Sequence, residues 1–279
     1  MNKLSIITIN FNNSEGLKKT INSIKCQSSK DFEYLVIDGG SSDNSVEVIR
    51  ENSSIVDYWI SEKDNGVYHA MNKGVKVATG DYCIFMNSGD VFYDEKVIEH
   101  VIPSLDNTDV IVGSTWLSFG RLVVAPRDVP MRYFYNETLQ HQSSFIKREL
   151  LLKYPYDETL HYVSDWKFWI QTLVFADYTY KPLDFLISIY DFSGMSTINH
   201  KSCAAEKNQE LNKFFPTKVL RDYEKLVVGD DWEDKLYLKM KGSDYHRIFY
   251  IYNVIILKFF SLFKKSAHWI YEFPIYKNK

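Results

Sequence analysis

The chain has 279 residues, of which 45% are hydrophobic and 25% charged, and its formal net charge is −3. These ordinary globular values exclude a disordered or collagen-like protein, and the near-neutral balance provides no basic field for nucleic-acid binding. The length allows one large domain or two small ones.

Strand-like and helix-like segments alternate through the first hundred residues. β-Branched and aromatic runs predict strands over 4–9, 34–37, 56–60 and 82–86. Apolar residues at helical spacing predict helices over 14–25, 43–50 and 67–78, the first with Ser14 as its N-cap. Strands that alternate with helices of about ten residues favour a parallel α/β sheet.

The pattern changes after residue 105. Strands are predicted over 110–112, 115–119 and 122–125, the last two forming a hairpin about Gly120. Helices are predicted over 145–154 and 163–175, followed by strands over 178–181 and 185–190. From Lys201 onward the pattern is helical, with breaks at Pro216 and Gly229.

Cysteine usage and the absence of targeting patterns bear on the compartment. Cys26, Cys83 and Cys203 show no CxxC spacing and are odd in number, so we expect buried thiols in a reducing compartment. The first residues lack the apolar region of a signal peptide, and no run of about 20 uncharged apolar residues occurs. The sequence therefore predicts a cytoplasmic protein without a spanning helix.

Polar residues stand at the end of every predicted strand in the first hundred residues. They are Asn10 and Asn12, Asp38, the segment 61–64 and the segment 87–90. In parallel α/β sheets, ligands bind beyond the carboxyl ends of the strands. The sequence therefore predicts a ligand site at this edge of the sheet.

Four segments carry a resemblance to a known family. SIITINFN at 5–12, VIDGGSSD at 36–43, AMNKG at 70–74 and FMNSGD at 85–90 occur in the order and spacing seen in family 2 glycosyltransferases. The resemblance covers roughly residues 3–195, and the Asn-Ser-Gly-Asp form looks like the branch that makes capsule, exopolysaccharide and colanic-acid-type polysaccharides.

The resemblance implies the GT-A fold, an α/β fold with a mostly parallel Rossmann-like sheet flanked by helices. We expect a nucleotide-sugar-binding half at 1–100, an acceptor half at 101–200 and a helical C-terminal extension at 201–279. The implied activity is inverting transfer of a hexosyl-type sugar from a nucleotide-diphosphate donor to a saccharide or lipid-linked saccharide, in surface-polysaccharide biosynthesis. The residues implied to bind the donor are Ile9, Asn10, Phe11, Asp38, Gly39, Asp64, Asn72, Lys73, Asn87, Ser88 and Asp90.

The leaving diphosphate gains charge as the glycosidic bond breaks, and a divalent cation stabilises it as a Lewis acid. Mn²⁺ or Mg²⁺ suits hard oxygen ligands, and the resemblance assigns that cation to Asp90. The chain departs from the family pattern, because Asn87 and Gly89 stand where relatives have acids, and Gly39 replaces the acid beside Asp38. The alternative is that Asp90 only caps the structure that follows.

In the acceptor half, the resemblance assigns the catalytic base to Asp165. An inverting transfer needs one base opposite the leaving group and no covalent intermediate. The alternative is a helix N-terminal acid, which the helix dipole favours. The resemblance also places His141, Gln142 and Trp166 on the acceptor side, and a loop at 194–196 over the donor.

Other functional classes differ from a glycosyltransferase in the motifs that they require. A nucleotidyltransferase or a Rossmann oxidoreductase is disfavoured, because no glycine-rich phosphate loop follows the first predicted strand. A catalytically degenerate sugar-nucleotide-binding or assembly protein stays open, since the acidic motif is thinned.

The C-terminal segment 241–279 has a local excess of five positive charges and many aromatic residues. Its apolar residues share one face of a helical wheel. Residues 245–273 are therefore predicted to bind the anionic inner face of the cytoplasmic membrane. The alternative is packing on the domain or on a second copy in a homo-oligomer.

Overall fold

The computed structural model describes residues 3–191 and 199–228. Its first half consists of alternating strands and helices: β1 Leu4–Asn10, α1 Ser14–Lys25, β2 Glu33–Asp38, α2 Ser45–Glu51, β3 Tyr58–Ser61, α3 Val67–Val77, β4 Tyr82–Phe85, β5 Val91–Phe92 and α4 Val97–Val101. The second half is formed by β6 Val110–Leu117, β7 Arg121–Val123, α5 Met131–Asn136, β8 Ser144–Lys147, α6 Arg148–Lys153, α7 Ser164–Trp169, β9 Tyr180–Tyr190, α8 His200–Phe214 and α9 Thr217–Val228. A π-helical turn, Ile170–Phe175, continues α7.

The described strands form one sheet in the order β3-β2-β1-β4-β8-β6-β9-β5, with β7 paired to β6. β3, β2, β1 and β4 are parallel, as predicted. Their register sets Asn10 opposite Asp38, and Asp38 opposite Ser61. The polar ends of three strands therefore meet at one edge.

The other half of the sheet is mixed. β8 runs antiparallel to both β4 and β6, whereas β6 and β9 are parallel. β5 pairs antiparallel with β9, with Val91 opposite Ile189. This pairing brings the end of the 87–90 segment beside the end of β9, about 100 residues later in the chain.

Helix α1 shows why the local pattern succeeds. Leu17, Ile21 and Ile24 recur at helical spacing and are buried in the core beneath the sheet. The N-cap is Asn13 rather than the predicted Ser14, since the Asn13 side chain accepts a hydrogen bond from the Gly16 backbone N–H.

The structure differs from the predicted elements in three places. Residues 145–147 of the predicted helix 145–154 belong to β8, because they pair between β4 and β6, and only Arg148–Lys153 is helical. The predicted strands 110–112 and 115–119 are one bulged strand, in which Gly113 leaves room for Ile187 of β9. The predicted strands 178–181 and 185–190 are likewise one strand, β9.

The chain divides into two compact units, Met1–Phe215 and Pro216–Lys279. This division places α8 in the first unit, and the expected start of a C-terminal extension at residue 201 stays a prediction. Pro216 lies at the boundary, as its helix-breaking character suggested. Residues 229–279, and with them the predicted membrane-binding segment 245–273, lie outside the described residues, as does the predicted loop at 194–196.

Two further sequence expectations concern thiols and membranes. All three cysteines are free thiols, but Cys26 is exposed, whereas Cys83 is buried and Cys203 half-buried. Of the helices in the described ranges, none is long and apolar enough to cross a bilayer.

A carboxylate of α8 holds the loop that leads into α7. Glu206 accepts hydrogen bonds from the backbone N–H groups of His161, Tyr162 and Val163 at 2.8, 2.7 and 3.1 Å. We expect Glu206→Ala to lower the free energy of unfolding by roughly 1–3 kcal/mol, because three donors lose a charged acceptor. Urea denaturation of the full chain measures the change. The control is Glu149→Ala on the exposed face of α6, where a shift within about 0.5 kcal/mol is expected. Equal shifts in the two variants would show that the α8 contact does not stabilise the unit.

Candidate active site

Asp38 lies where the carboxyl ends of β1, β2 and β3 meet. Its Oδ1 accepts hydrogen bonds from Asn10 Nδ2 at 2.7 Å and Ser41 Oγ at 2.6 Å. Its Oδ2 accepts from the Ser41 backbone N–H at 2.9 Å and Ser61 Oγ at 2.6 Å. Burial raises the pKa of Asp38, but these hydrogen bonds outweigh it and hold the pKa below its usual value. The resemblance implied that Asp38 contacts the donor. In the structure this carboxylate is fully buried, and both of its oxygens accept hydrogen bonds from within the protein.

Asn10 extends this network to the loop after β4. Its Nδ2 also donates to Ser45 Oγ at 2.8 Å, and its Oδ1 accepts from Ser88 Oγ at 2.8 Å. The Ser88 backbone N–H donates to the Ile9 carbonyl at 3.1 Å. Ile9, Asn10 and Ser88 therefore fix the edge of the site from beneath, and Ile9 and Asn10 are buried.

Phe11 presents an open aromatic face beside this network. It is 65% exposed, so it is not a core residue. Gly39 lies next to it, because a Cβ at Gly39 would come within 3.2 Å of the Phe11 ring and 3.1 Å of Asp64 Oδ2. A larger side chain at position 39 would crowd this surface. Phe11, Gly39 and Asp64 thus form a shallow face that suits a flat ring.

Lys73 is neutralised by two acids. Its Nζ forms an ion pair with Asp64 and a second with Glu62 at 3.0 Å. Asp64 Oδ1 also lies 3.3 Å from His69 Nδ1. Burial lowers the pKa of Lys73, but the two carboxylates outweigh it and raise the pKa above its usual value. Lys73 is charged, and that charge is committed to the loop that ends in Asp64.

Asn72 connects α3 to the loop at 156–158. Its Nδ2 donates to the Tyr156 carbonyl at 2.8 Å and Glu158 Oε1 at 2.9 Å, and its Oδ1 accepts from the Tyr156 N–H at 3.0 Å. Both N–H donors of its amide are therefore used inside the protein. Asn72 positions the 156–158 loop and has no donor left for a ligand.

A chain of side chains connects the 87–90 segment to Asp165. Asn87 Nδ2 lies 3.0 Å from His141 Nε2, and His141 Nδ1 lies 3.3 Å from Asp165 Oδ2. Tyr68 donates its hydroxyl to Asp165 Oδ1 at 3.2 Å. A neutral His141 that accepts from Asn87 at Nε2 carries its proton on Nδ1, which faces Asp165, whereas a protonated His141 carries a proton on each nitrogen.

Neighbouring charges shift the pKa values of the groups that are hydrogen-bonded to Asp165. Burial lowers the pKa of His141, but the Asp165 and Asp90 carboxylates outweigh it and raise the pKa above its usual value. Burial and the Asp165 carboxylate raise the pKa of Tyr68 well above its usual value, so Tyr68 stays a hydrogen-bond donor. Asp165 is held from two sides and remains 15% exposed.

Asp90 is the last residue of the 87–90 segment and is only 3% exposed. The Thr20 hydroxyl of α1 fixes the segment, because it donates to the Asp90 carbonyl at 2.7 Å and accepts from the Gly89 N–H at 3.0 Å. Asp90 Oδ1 accepts from the Asp191 backbone N–H at 2.9 Å. Burial, with a smaller contribution from the Asp191 carboxylate, raises the pKa of Asp90 to about 7.

The oxygens at this place fit a divalent cation that arrives with a diphosphate. Besides the Asp90 carboxylate, the buried Oδ1 of Asn87 has no hydrogen-bond partner among the described residues. Across residues 3–191 and 199–228, no group of three or more His, Cys, Asp or Glu side chains could hold a metal. Mg²⁺ in nucleotide sites is typically bound by one or two carboxylates and completed by phosphate oxygens and water, which is what the residues present could provide.

Two residues expected on the acceptor side are core residues. Trp166 is 2% exposed and donates its Nε1–H to the Phe134 carbonyl at 2.7 Å. Gln142 is buried as well. Each directly follows a site residue, His141 or Asp165, but its own side chain is buried in the protein interior, so an acceptor contact of Gln142 or Trp166 stays a prediction.

Sequence reasoning missed Tyr68, Asp191 and Lys207. Lys207 of α8 lies 5.2 Å from the centre of the Trp166 ring and has no carboxylate within ion-pair distance in the part of the chain that is described. Burial lowers its pKa to about 8. Asp191 could have been found, since it follows the predicted strand 185–190 as Asp38 follows its strand. For Tyr68 and Lys207 the sequence carries no local signal.

Comparison with known proteins decides the family. Residues 5–166, more than half of the chain, match the family described as Glycosyl transferase family 2. The chain belongs to glycosyltransferase family 2. An uncharacterized glycosyltransferase of Mycobacterium tuberculosis, Rv1514c, is 29% identical over 211 residues, which is 72% of this chain and 79% of that protein.

Solved structures of other proteins share the fold. TarS of S. aureus, crystallised as residues 1–349 in complex with UDP-GlcNAc, aligns with a TM-score of 0.57 at 18% identity. That alignment covers 68% of this glycosyltransferase and 58% of the TarS chain. The mannosyltransferase PcManGT of Pyrobaculum calidifontis, in complex with GDP-Man and Mn²⁺, aligns with a TM-score of 0.60 at 14% identity and covers 91% of this chain and 80% of that chain. The expected GT-A fold is confirmed.

Proposed function

We propose that this glycosyltransferase moves a sugar from a nucleoside-diphosphate sugar to an acceptor hydroxyl with inversion, using Asp165 as the general base. The observation that carries this proposal is the chain Asn87–His141–Asp165, which connects the segment ending in Asp90 to a partly exposed carboxylate. The two groups that an inverting transfer needs, one for the leaving group and one for the nucleophile, belong to one hydrogen-bonded unit.

The donor is proposed to lie across the carboxyl ends of the parallel strands. Phe11 stacks on the base, and Gly39 keeps that face open. Asp90 would hold Mn²⁺ or Mg²⁺, which would act as a Lewis acid on the leaving diphosphate. Asp38, Asn10 and Ser88 position this surface rather than contact the donor, because their hydrogen bonds run within the protein.

The acceptor hydroxyl is proposed to approach Asp165. As the hydroxyl oxygen bonds to the anomeric carbon, its proton passes to the Asp165 carboxylate, and the bond to the nucleoside diphosphate breaks on the opposite face. Tyr68 and His141 donate hydrogen bonds that hold the carboxylate in place. These contacts fix the direction from which the hydroxyl is deprotonated.

The acceptor class is proposed to be a saccharide, lipid-linked where the enzyme works on surface polysaccharide. We propose a cytoplasmic location at the inner face of the membrane. The membrane contact and a homo-oligomeric state stay predictions, since the segment 245–273 is outside the described residues.

The proposal is tested by a donor screen in two stages. Thermal shift with UDP- and GDP-sugars and Mn²⁺ identifies the donor, because a ligand that binds the folded state raises the melting temperature. Release of nucleoside diphosphate with saccharide acceptors then shows transfer, and the anomeric configuration of the product, measured by NMR, shows inversion. Binding without any release would favour the alternative of a degenerate sugar-nucleotide-binding protein.

We expect Phe11→Ala to weaken nucleotide binding by about 1–3 kcal/mol, the cost of losing one stacked base. Its stability should be nearly unchanged, since the ring is mostly exposed. Isothermal titration calorimetry with UDP and GDP measures the effect. Tyr58→Ala is the control, because Tyr58 is also exposed but begins β3 at the end away from the site. Unchanged affinity in Phe11→Ala would exclude stacking on this ring.

A further inference from the structure

Gly89 directly precedes Asp90 and has no side chain, and the space next to it is filled by the side chain of Asp191. A Cβ built on Gly89 would lie 2.7 Å from Asp191 Oδ2, 3.2 Å from Asp191 Cβ and 3.3 Å from Asp191 Cγ. An Asp191 side chain in this position excludes any side chain at position 89.

The sheet fixes Asp191 in that place. β5 and β9 pair with Val91 opposite Ile189, so the residue before β5 and the residue after β9 come together. The backbone N–H of Asp191 donates to Asp90 Oδ1 at 2.9 Å. Strand register and this backbone hydrogen bond thus bring Asp191 beside Asp90, although the two residues are 101 positions apart in the chain.

Gly89 itself has the backbone that this arrangement needs. Its φ of +109° is a conformation that L side chains rarely adopt. An acid at position 89 would therefore be strained by its own backbone and would collide with Asp191. The glycine and the carboxylate that covers it form a matched pair.

We propose that Asp191 supplies the second carboxylate of the divalent-cation site, beside Asp90. This inference rests on the proposed function, which puts the cation at Asp90. The Oδ1 of Asn87 is buried in the same segment and has no hydrogen-bond partner in the described part of the chain, which is an independent indication that an oxygen-binding group belongs here. Carboxylate and amide oxygens are the metal ligands that hard dications such as Mg²⁺ and Mn²⁺ prefer.

The chemistry of the leaving group fits this placement. A cation held by two carboxylates keeps its remaining positions for phosphate oxygens and water, the usual arrangement for Mg²⁺ with nucleotides. Asp191, which follows β9, would then provide the second negative charge beside Asp90. The site would bind Mn²⁺ or Mg²⁺ together with a nucleoside diphosphate.

The test compares Asp191→Asn with Asp184→Asn in the full chain. Asn keeps the size of Asp191 and its backbone donor to Asp90 but removes the charge. Asp184 is an exposed acid on the same strand and serves as the matched control. Calorimetry measures the affinity for UDP and for GDP, each with Mn²⁺ and with EDTA, and electron paramagnetic resonance measures free Mn²⁺ in the presence of each nucleotide.

We expect Asp191→Asn to lose roughly tenfold or more of the Mn²⁺-dependent gain in nucleotide affinity, with affinity in EDTA unchanged. Asp184→Asn should match the parent. Asp191→Ala is a second variant that offers no ligand oxygen, and circular dichroism shows that each variant is folded. Parent-like Mn²⁺ dependence in both folded Asp191 variants would overturn this inference alone. A parent that binds nucleotide without any effect of Mn²⁺ would overturn the inference and the proposed cation at Asp90 together.

Discussion

Asp165→Asn should lower the rate of sugar transfer by about two to four orders of magnitude, the usual contribution of a general base. Asparagine has the same shape and still accepts hydrogen bonds from Tyr68 and His141, but it cannot take the acceptor's proton. Because the base acts on the acceptor, nucleotide affinity should stay close to that of the parent. Single-turnover rates measure the first effect, and calorimetry with UDP or GDP measures the second.

Asp177→Asn is a suitable control, since Asp177 is exposed and its positive φ is one that asparagine adopts as readily as aspartate. If Asp165→Asn retains parent turnover, another carboxylate deprotonates the acceptor. The neighbouring acids are poorly suited to that role. Asp157 forms an ion pair with Lys167 at 2.7 Å, and although burial raises its pKa, hydrogen bonds from Lys167 and Thr159 lower the pKa to about 2.

Asp90→Ala should abolish metal-dependent binding of nucleoside diphosphate and leave the fold intact. Asp90 is the buried carboxylate of the proposed cation site, and without it the cation loses its main ligand. Adding EDTA to the parent should have the same effect on nucleotide affinity. Thermal shift with UDP or GDP, with and without Mn²⁺, measures both.

Asp90→Asn separates charge from structure in this experiment. It keeps an oxygen that can accept from the Asp191 N–H, so its melting temperature without ligand should be close to that of the parent. Its metal dependence should nevertheless be lost. A Mn²⁺-dependent shift of equal size in Asp90→Ala and the parent would refute the assignment of the cation to Asp90.

The elements of the first hundred residues follow from local sequence. Leu17, Ile21 and Ile24 recur at helical spacing, and short β-branched runs alternate with such helices, so periodicity alone predicts the parallel half of the sheet. The same pattern places a polar residue at the end of each strand. The resemblance to family 2 then names the activity, because its four motifs lie within these elements.

Local sequence fails where pairing with distant strands decides the outcome. Residues 144–147 have a pattern compatible with a helix, yet they form β8 because β4 and β6 present open edges on either side. Glu206 of α8 likewise bonds to a loop more than forty residues earlier, and α8 lies in the first unit, which ends at Phe215. Neither contact leaves a periodic trace in the sequence.

The roles within the site are also decided by tertiary structure. The resemblance implied donor contacts for Asn72, Lys73 and Asp38, but in the structure their polar atoms are engaged by partners from other elements. Whether a polar side chain faces a ligand or the protein depends on which groups lie within hydrogen-bond distance, and that follows from strand order and register. The same register brings Asp191 to Asp90 across about 100 residues, a proximity that residue type and spacing cannot encode because it arises only when β5 and β9 pair.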